Sequence, residues 1–381
     1  MKITDIRLTE PLYVPIRAME DAINVLPQTM AYSFVEVSTD DGVTGLAPAT
    51  AGELNRVLVE DVLRPKIVGE DPFNVERIWE KMYWYTLQSG RRGAPLIAMS
   101  AIDIALWDVM GKSLNKPVHR LLGGHRDTVA SYGSGVDLNY SGEELIKEMT
   151  DYVAQGFGAV KMKVGRRSAE QDLERVKAVR EAIGPKVDLC VDANNGWSLN
   201  NAIRMAKKLE KFDVYWLEEP ILADEIDGLA KLASETTIPI AVGENHYTKW
   251  EFKDLMEHRA VEIVQADIGK CGGVTEYMKI AAMAEAYGLP VCPHHTEYVD
   301  APLVAAIPNG LFHEYIAELF IPLGQVFVDP IRPSNGEISP SNKPGFGIEL
   351  NEEAVKRLKT KPKVEGNARE ISRGWRWPPY L

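Results

Sequence analysis

From about residue 127 onward, the sequence alternates short apolar segments of strand type with longer segments of helical type. Most of the apolar segments end at polar residues. Strand–helix alternation at this spacing is typical of a parallel sheet, and eight units predict a closed (β/α)₈ barrel. A doubly wound open sheet is the alternative, but no glycine-rich phosphate loop follows the first strand. The strand candidates are VASYGSG, AVKMKV, VDLCVDA, VYWLEE, IAVGE, VEIVQAD, LPVCPH and LFHEYI, and the helical segments include 168–183, 198–211, 225–236, 249–257 and 273–287.

The residues that precede the barrel follow a different pattern. The segments KITDIRLTEPLYVP and SFVEVSTDDGVTG predict antiparallel strands, with TDDG as hairpin turn. We therefore expect an α+β capping domain over residues 1–125 and the barrel over residues 126–320. Helical patterns of this domain cover 53–66, 74–87 and 94–114.

The C-terminal segment, residues 321–381, is rich in proline and glycine and contains one helical pattern at 351–359. We expect it to complete the barrel and to return to the capping domain. Three aromatic residues near the terminus are expected to be buried at a subunit interface or under the cap, which favours a homo-oligomer. They are Trp375, Trp377 and Tyr380.

Composition limits the partners that the chain can bind. Its 381 residues are 45% hydrophobic and 26% charged, as in ordinary globular proteins. The formal net charge of −12 argues against a nucleic-acid partner, because phosphates would repel it. The three cysteines, Cys190, Cys271 and Cys292, form no CxxC pair and indicate neither a disulfide framework nor a zinc site.

No membrane partner is expected, because no uninterrupted apolar run approaches the roughly 18 residues of a membrane span. The N-terminal segment MKITDIRLTE lacks the continuous apolar core of a signal peptide. A reducing cytoplasm is therefore the expected location.

Three acidic residues lie at the ends of consecutive strand candidates. Asp192, Glu218 and Glu244 are separated by 26 residues each, which is one βα unit. The carboxyl ends of barrel strands meet at one mouth, so the three carboxylates should converge and repel one another unless a cation is bound. A ligand set of oxygens alone selects a hard ion and predicts Mg²⁺. Glu219 is the alternative to Glu218, which we prefer because it keeps the interval equal.

The next two strand candidates end in Asp267 and His294. On neighbouring strands, a carboxylate can hold an imidazole in one tautomer and raise its basicity, which makes a general-base dyad. His295 is the competing histidine, since the strand register decides which of the two faces inward.

The second strand candidate carries Lys161 and Lys163, which share one face because strand side chains alternate with a period of two. A neighbouring ammonium disfavours protonation, so we expect Lys163 to be driven toward neutrality and to act as a base. Lys161 is expected to stay charged and to bind a substrate carboxylate. The alternative is that both lysines extend to solvent at the strand end.

Two further residues complete the predicted ring at the barrel mouth. Glu314, in FHEYI of the eighth strand, is expected to be protonated and to donate a hydrogen bond to a developing negative oxygen. Asn194, two residues after Asp192, is expected to hydrogen-bond a substrate hydroxyl.

These residues resemble the enolase superfamily and, within it, the mandelate racemase subgroup. The match extends over nearly the whole chain, and its motifs keep their order. They are AMSAIDIALWDVMGKSLNKPVHRLLGG (98–124), the K-x-K pair at 161–163, VDANNGW, WLEEP, GEN, QADIGKCGG and PH.

The resemblance implies a modified (β/α)₇β barrel capped by an α+β domain built from both termini. It implies that the acidic triad binds Mg²⁺, that Lys163 and the Asp267–His294 dyad act on opposite faces of the substrate, and that Glu314 is the electrophile. Members of the subgroup remove the proton α to a carboxylate through an enediolate. The small-molecule partner is thus expected to be a carboxylate.

The step that follows proton removal divides the subgroup. Loss of a β-hydroxyl, with His294 or Lys163 as general acid, would make the chain a lyase that dehydrates an aldonate or aldarate to a 2-keto-3-deoxy acid. We favour this dehydratase activity. Racemisation, epimerisation and lactone cycloisomerisation use the same intermediate and remain the alternatives. A barrel that binds metal and carboxylate without catalysis is a further one.

Substrate choice is expected to lie in the capping loops 15–32 and 45–56. Arg17, Glu20 and Asp21 offer polar contacts there. The segment AINVLPQTMAY is more apolar than a sugar-binding loop should be, which keeps a less polar carboxylate or a lactone under consideration.

Overall fold

The computed structural model describes residues 1–165, 168–296 and 298–361. Its N-terminal part contains the predicted antiparallel strands. One long strand, Thr29–Thr39, is hydrogen-bonded to three others, and two short strands form a separate ribbon. In chain order the strands are β1 (Ile3–Leu8), β2 (Leu12–Pro15), β3 (Met19–Glu20), β4 (Val25–Leu26), β5 (Thr29–Thr39) and β6 (Thr44–Thr50).

The hairpin between β5 and β6 turns at TDDG, as predicted. The hydroxyl of Thr39 lies 2.6 Å from Oδ1 of Asp41 and 2.7 Å from the carbonyl oxygen of Val43. Gly42 has a φ of 85°, a conformation that glycine adopts more readily than any other residue. Local turn chemistry therefore sets the register of the two longest strands of the cap.

Helices of the cap pack against this sheet. The longest of them, Ala94–Ser113, is the one helix of the described residues with the length and hydropathy of a membrane span, yet 78% of that span is buried inside the protein. It is a core helix, which explains why nearly all its faces are apolar. In chain order the cap contains α1 (Glu53–Arg56), a π-helical segment (Val57–Leu63), α2 (Arg64–Ile67), α3 (Val75–Thr86), α4 (Ala94–Ser113) and α5 (Val118–Leu121).

The predicted parallel barrel follows. Its strands are β7 (Val129–Ser134), β8 (Ala159–Lys163), β9 (Asp188–Asp192), β10 (Val214–Glu218), β11 (Ile240–Val242), β12 (Ile263–Val264) and β13 (His313–Tyr315), and they neighbour one another in the order β12–β11–β10–β9–β8–β7–β13. Its helices are α6 (Gly142–Ala154), α7 (Ala169–Ile183), α8 (Leu199–Leu209), α9 (Ile226–Glu235), α10 (Thr248–Glu257), α11 (Ile268–Cys271), α12 (Gly273–Ala286), α13 (Asp300–Ala306) and α14 (Ala317–Gly324).

The seventh predicted strand, LPVCPH, is reduced to a single bridging residue. Val291 pairs in parallel with Val264 on one side and with Gly310 on the other, so it still closes the ring. Pro290 and Pro293 flank this short bridge and have no N–H to donate to a longer ladder. The prediction of a full strand at this position was wrong for that reason.

Side chains of β8 alternate between the two faces of the barrel wall. Val160 and Met162 are buried in the apolar layer under the helices. Lys161 and Lys163 point to the interior, where the register pairs them with Cys190 and Asp192 of β9. The sequence pattern of period two thus places both ammonium groups inside the barrel.

The chain returns to the cap after the barrel. Strand β14 (Glu337–Ile338) pairs antiparallel with β7, and helix α15 (Glu352–Leu358) lies beside β2 of the cap. The backbone N–H of Phe346 donates to the buried carboxylate of Asp108 in α4 at 2.8 Å. The terminal aromatics Trp375, Trp377 and Tyr380 lie outside the described residues.

Asp108 joins three separate parts of the chain, so its loss should destabilise the fold. It accepts from the N–H of Leu46 and of Phe346, both at 2.8 Å, and pairs with Lys112. Asp108→Ala leaves two buried N–H donors unpaired and removes the counter-charge of Lys112, and we expect a loss of about 3 kcal/mol. Urea unfolding followed by fluorescence measures it. Asp151→Ala, an exposed control on α6, should change stability by less than about 0.5 kcal/mol; an equal loss in both variants would contradict this role.

Candidate active site

The three predicted metal ligands meet at the carboxyl ends of their strands. Asp192 ends β9, Glu218 ends β10, and Glu244 follows β11 by two residues. The parallel register places Asp192 directly beside Glu218. One carboxylate oxygen from each of the three residues lies within 4.8 Å of the other two. The sequence spacing therefore identified a real cluster.

Glu218, and not Glu219, belongs to this cluster. The backbone of Glu219 has a φ of 37°, and its carboxylate accepts instead from the amides of Asn195 and Asn245. Burial, together with the nearby charges of Glu244 and Asp192, raises the pKa of Glu219, and the hydrogen bond from Asn245 opposes this rise by stabilising the carboxylate. The choice between the two glutamates by equal interval is confirmed by this geometry.

The donor set of the cluster fits a divalent cation. Burial raises the pKa of Glu218 to about 7, which shows how unfavourable its negative charge is without further compensation. Its second oxygen accepts from Gln265 at 2.7 Å and from the indole of Trp216 at 2.9 Å, which holds the carboxylate in one orientation. Three oriented carboxylates with oxygen ligands alone form a site for Mg²⁺.

Lys163 lies beside the first metal ligand. Its Nζ is 2.5 Å from Oδ2 of Asp192, and only 6% of the residue is exposed. The expectation that its pKa is depressed was wrong for this arrangement. Burial and Lys161 lower the pKa of Lys163, but the adjacent Asp192 carboxylate outweighs both and raises it. Neither lysine extends to solvent.

Lys161 lies deeper in the barrel and remains charged, as expected. Its Nζ is 2.6 Å from Oε1 of Glu218, 2.8 Å from Oε1 of Glu314 and 3.3 Å from the hydroxyl of Tyr132. Burial opposes its charge, but the carboxylates of Glu218 and Glu314 raise its pKa well above the usual range. The ammonium thus neutralises carboxylates on both sides of the metal cluster.

The structure brings the predicted dyad together. Nδ1 of His294 lies 2.9 Å from Oδ2 of Asp267, and Nε2 lies 3.5 Å from Oε2 of Glu244. Burial lowers the pKa of His294, but the carboxylates of Glu244 and Asp267 outweigh it and raise the pKa to about 9. Lys270 lies 3.5 Å from Asp267 and donates to the carbonyl oxygen of Glu244 at 3.1 Å.

His295 makes different contacts. Its backbone N–H donates to Oε2 of Glu314 at 2.9 Å, and its ring packs against Phe320 with centroids 4.8 Å apart. The dyad therefore contains His294, which settles the alternative that the sequence left open.

Glu314 is at the mouth of the barrel, but the expectation that it is protonated was wrong. Its oxygens accept from Lys161, from the hydroxyl of Ser134 at 2.8 Å and from the N–H of His295. Burial raises the pKa of Glu314, but the charges of Lys161 and His294 lower it well below the usual range. In this arrangement Glu314 is a carboxylate that accepts hydrogen bonds.

Asn194 lies next to the metal cluster. Its backbone has a φ of 39°, and its N–H donates to Oδ1 of Asp192 at 2.8 Å. The side-chain oxygen is buried and has no hydrogen-bond partner within the described part of the chain. A buried acceptor of this kind is normally satisfied by a ligand or water, so its placement agrees with a substrate contact.

Several functional neighbours were missed by the sequence reasoning. Gln265 lies two residues before Asp267 on the same inward face, so the period of the strand could have indicated it. Trp216 precedes Glu218 by two residues, so the same period of two could have indicated that it lies on the inward face of its strand. Ser134, Tyr132 and Asn245 had no distinguishing pattern.

A cleft of about 240 Å³ lies between the dyad and the cap. The polar residues that line it include Tyr32, Thr50, His295 and Thr296, together with Lys270. The remaining wall is largely apolar or small and includes Met30, Ala31, Pro48, Ala49, Ile97 and Ala101.

The polar residues of the capping loop lie on another side of the site. Asp21 is buried close enough to Lys163 for that ammonium to lower its pKa against the effect of burial, which raises it. Arg17 is directed to Glu144, with 2.6 Å between NH2 and Oε1, and stacks on Tyr140. Glu20 pairs with the barrel through its backbone, as its N–H donates to Val136.

A barrel whose mouth combines an acidic metal cluster with an amine and an imidazole defines a metal-dependent enzyme of the α/β-barrel class. Two family models match the chain. Residues 9–123 match the N-terminal domain of mandelate racemase / muconate lactonizing enzyme, and residues 144–354 match the enolase C-terminal domain-like family. The chain belongs to the enolase superfamily, in its mandelate racemase and muconate lactonizing group, and is an enzyme that acts on a carboxylate.

Relatives with assigned activities share about a third of its residues. Arabinonate dehydratase of Saccharolobus solfataricus is 36% identical over 373 residues, 94% of this chain and 100% of the relative. A 3,6-anhydro-α-L-galactonate cycloisomerase of Streptomyces coelicolor is 34% identical over 85% of this chain and 90% of its own. A racemase structure from S. coelicolor with bound magnesium superposes with a TM-score of 0.88 at 32% identity, covering 93% of this chain and 99% of that one.

The metal site predicts a measurable stabilisation by Mg²⁺. At a concentration of 100 times Kd, Mg²⁺ should stabilise the protein by about 2.7 kcal/mol, because it binds the folded chain only. Glu244→Gln removes one ligand and should abolish most of this thermal shift. Asp188→Asn, at the opposite end of β9, is the matched control and should keep it. An undiminished shift in Glu244→Gln would exclude Glu244 from the site.

Proposed function

We propose that the protein is a Mg²⁺-dependent acid-sugar dehydratase. It removes the proton α to the carboxylate of an aldonate and eliminates the β-hydroxyl as water to give a 2-keto-3-deoxy acid. The observation that carries the proposal is the placement of Lys163 and His294 next to different members of one acidic cluster, Asp192 and Glu244. A base and an acid that flank one bound carboxylate are what an elimination requires.

Bound Mg²⁺ would supply positive charge to the substrate carboxylate and to Asp192, which favours ionisation at the α-carbon and weakens the hold of Asp192 on the Lys163 proton. Lys163 is then the base that receives the α-proton on its Nζ. Lys161 stays charged and stabilises the negative oxygens of the enediolate. These roles account for two lysines on one face of β8.

His294 completes the elimination as general acid. Asp267 holds Nδ1, which leaves Nε2 to face the substrate. As the bond between the β-carbon and oxygen breaks, the Nε2 proton passes to the departing hydroxyl and water is released. The electron pair from the α-carbon forms the double bond of an enol. The enol becomes the keto acid when its β-carbon takes up a proton from solvent and its hydroxyl group releases one.

The cleft beneath the cap favours an aldonate over an aldarate. The basic side chains among the described residues that line it are Lys270, which is already paired with Asp267 and with the carbonyl oxygen of Glu244, and His295, whose ring packs against Phe320. A second carboxylate at the far end of the substrate would have no free counter-charge there. Thr50 and Thr296 carry uncharged hydroxyl groups, which suit a polyol.

Cycloisomerisation of a lactone is the second candidate. The apolar part of the cleft, from Met30 to Ala31 and from Pro48 to Ala49, favours it, because a lactone ring exposes fewer hydroxyls than an open sugar acid. The similarity to a D-galactarolactone cycloisomerase of Agrobacterium fabrum, which is 32% identical over 93% of this chain, supports it as well. Cytoplasmic location and a homo-oligomeric state stay predictions of the sequence.

The reaction is tested by incubating the purified enzyme and Mg²⁺ with a set of aldonates, aldarates and sugar lactones. We expect an aldonate to give a semicarbazide-reactive keto acid, and aldarates of the same length to react at least tenfold more slowly.

The same assay with Lys163→Ala should show a rate that is 10²- to 10⁴-fold lower, whereas Lys147→Ala on the surface should not change the rate. Isomerised lactone without keto acid would replace the dehydratase by the cycloisomerase, and inversion with deuterium uptake would indicate a racemase.

The pH dependence tests the acid role of His294. Because the carboxylates of Glu244 and Asp267 raise the pKa of His294, the protonated acid persists to higher pH than in a free imidazole, and kcat/KM should fall as the pH rises through the raised pKa. Asp267→Asn removes one of these carboxylates, lowers the pKa of His294 and should move the decline to lower pH. Asp151→Asn is the surface control. A decline that stays at the wild-type pH in Asp267→Asn would contradict the dyad.

A further inference from the structure

Glu219 is a fourth carboxylate at the barrel mouth, and neither the metal cluster nor the proposed reaction uses it. It follows the metal ligand Glu218 directly and is 1% exposed. Its φ of 37° lies in the left-handed region, which residues other than glycine, asparagine and aspartate seldom adopt. Such a conformation persists where the surroundings hold it firmly, and it is common at functional sites.

Two amide side chains hold the carboxylate of Glu219. Nδ2 of Asn195 donates to Oε2 at 2.5 Å, and Nδ2 of Asn245 lies 2.8 Å from Oε1 and 3.0 Å from Oε2. Asn195 comes three residues after Asp192, and Asn245 comes directly after Glu244. A single buried carboxylate thus links the three loops that carry the metal ligands.

Backbone hydrogen bonds of Asn195 and Glu219 also connect the loops that carry the metal ligands. The N–H of Asn195 donates to the carbonyl oxygen of Glu219 at 2.7 Å, and the N–H of Glu219 donates to Ala241 of β11 at 3.0 Å. The side-chain oxygen of Asn195 accepts from the N–H of Ala223 at 3.0 Å, which fixes the orientation of its amide. The N–H₂ group of Asn195 is therefore oriented toward Glu219.

The link extends to a metal ligand itself. Nδ2 of Asn245 is 3.5 Å from Oε1 of Glu244 as well as within hydrogen-bond distance of Glu219. Rotation of Glu219 would release this amide and, with it, the restraint on the loop that carries Glu244. Second-layer hydrogen bonds of this kind orient metal ligands in other proteins.

The chemistry of the link requires a carboxylate. Both partners are N–H₂ groups, and a carboxylate accepts with both oxygens. Glutamine at this position would accept with one oxygen and would point its own N–H₂ at one of the two amides. We propose that Glu219 is a positioning residue that holds the loops of Asp192, Glu218 and Glu244 in the geometry for binding Mg²⁺, and so sets the affinity for the ion.

The test measures Mg²⁺ affinity by isothermal titration calorimetry on the full chain, together with the melting temperature of the metal-free protein. Glu219→Gln should raise the Kd for Mg²⁺ by about 10- to 100-fold. Asn195→Ala and Asn245→Ala should each raise the Kd as well, although neither removes a charge. The double variant Glu219→Gln/Asn245→Ala should bind little more weakly than Glu219→Gln, because both changes break one link.

Glu262→Gln is the matched control. Its carboxylate accepts from the N–H of Ile240 at 2.7 Å, at the opposite end of the strand that leads to Glu244. The Glu262→Gln variant also removes one negative charge, but at the other end of the barrel strands, and should leave the Kd unchanged. If Glu219→Gln fails to fold, the two asparagine variants carry the test.

Two results would overturn the proposal. A Kd within twofold of the wild-type value in folded Glu219→Gln, with only the melting temperature lowered, would show a structural role alone. A large loss of affinity in Glu219→Gln, combined with unchanged affinity in both asparagine variants, would show that Glu219 ligates the ion directly.

Discussion

Repulsion among three carboxylates at the ends of neighbouring strands is the constraint on which the active site depends. Parallel pairing places Asp192 and Glu218 side by side, and Glu244 follows one strand later. Buried charges of one sign are stable only when opposite charges or a cation compensate them. In the structure Lys161 and Lys163 provide that compensation. Asp192 and Glu218 accept from the lysines and are also members of the metal cluster, so metal binding and the lysine charges are coupled.

The fold separates chemistry from substrate choice. The groups assigned to metal binding and proton transfer stand at or just after barrel strands, whose backbone is held on both sides by hydrogen bonds. The wall of the adjacent cleft comes largely from the cap, through residues of β5 and β6, and this is where the proposed substrate selection would lie.

The parts of the site that follow from periodicity were predictable. Alternation with a period of two placed Lys161 and Lys163 inside, and the equal spacing of strand ends selected Glu218 over Glu219. Protonation states were not predictable, because the pKa of Lys163 and of Glu314 depends on partners that only folding brings within 3 Å. The prediction of a full seventh strand was wrong because Pro290 and Pro293 have no backbone N–H to donate to a strand ladder. An apolar pattern alone does not show this loss of donors. The start of helix α6 could have been predicted from its capping box, Ser141 and Glu144. Hydrophobic periodicity alone does not detect such a box.

The most direct test of the account is a crystal structure of the protein with Mg²⁺. We predict one ion bound by an oxygen of each of Asp192, Glu218 and Glu244, at the distance of about 2.0–2.1 Å that Mg²⁺ requires, with the Glu219 carboxylate still on Asn195 and Asn245. An ion that is bound elsewhere, or one that takes Glu219 in place of Glu218, would contradict the central claim.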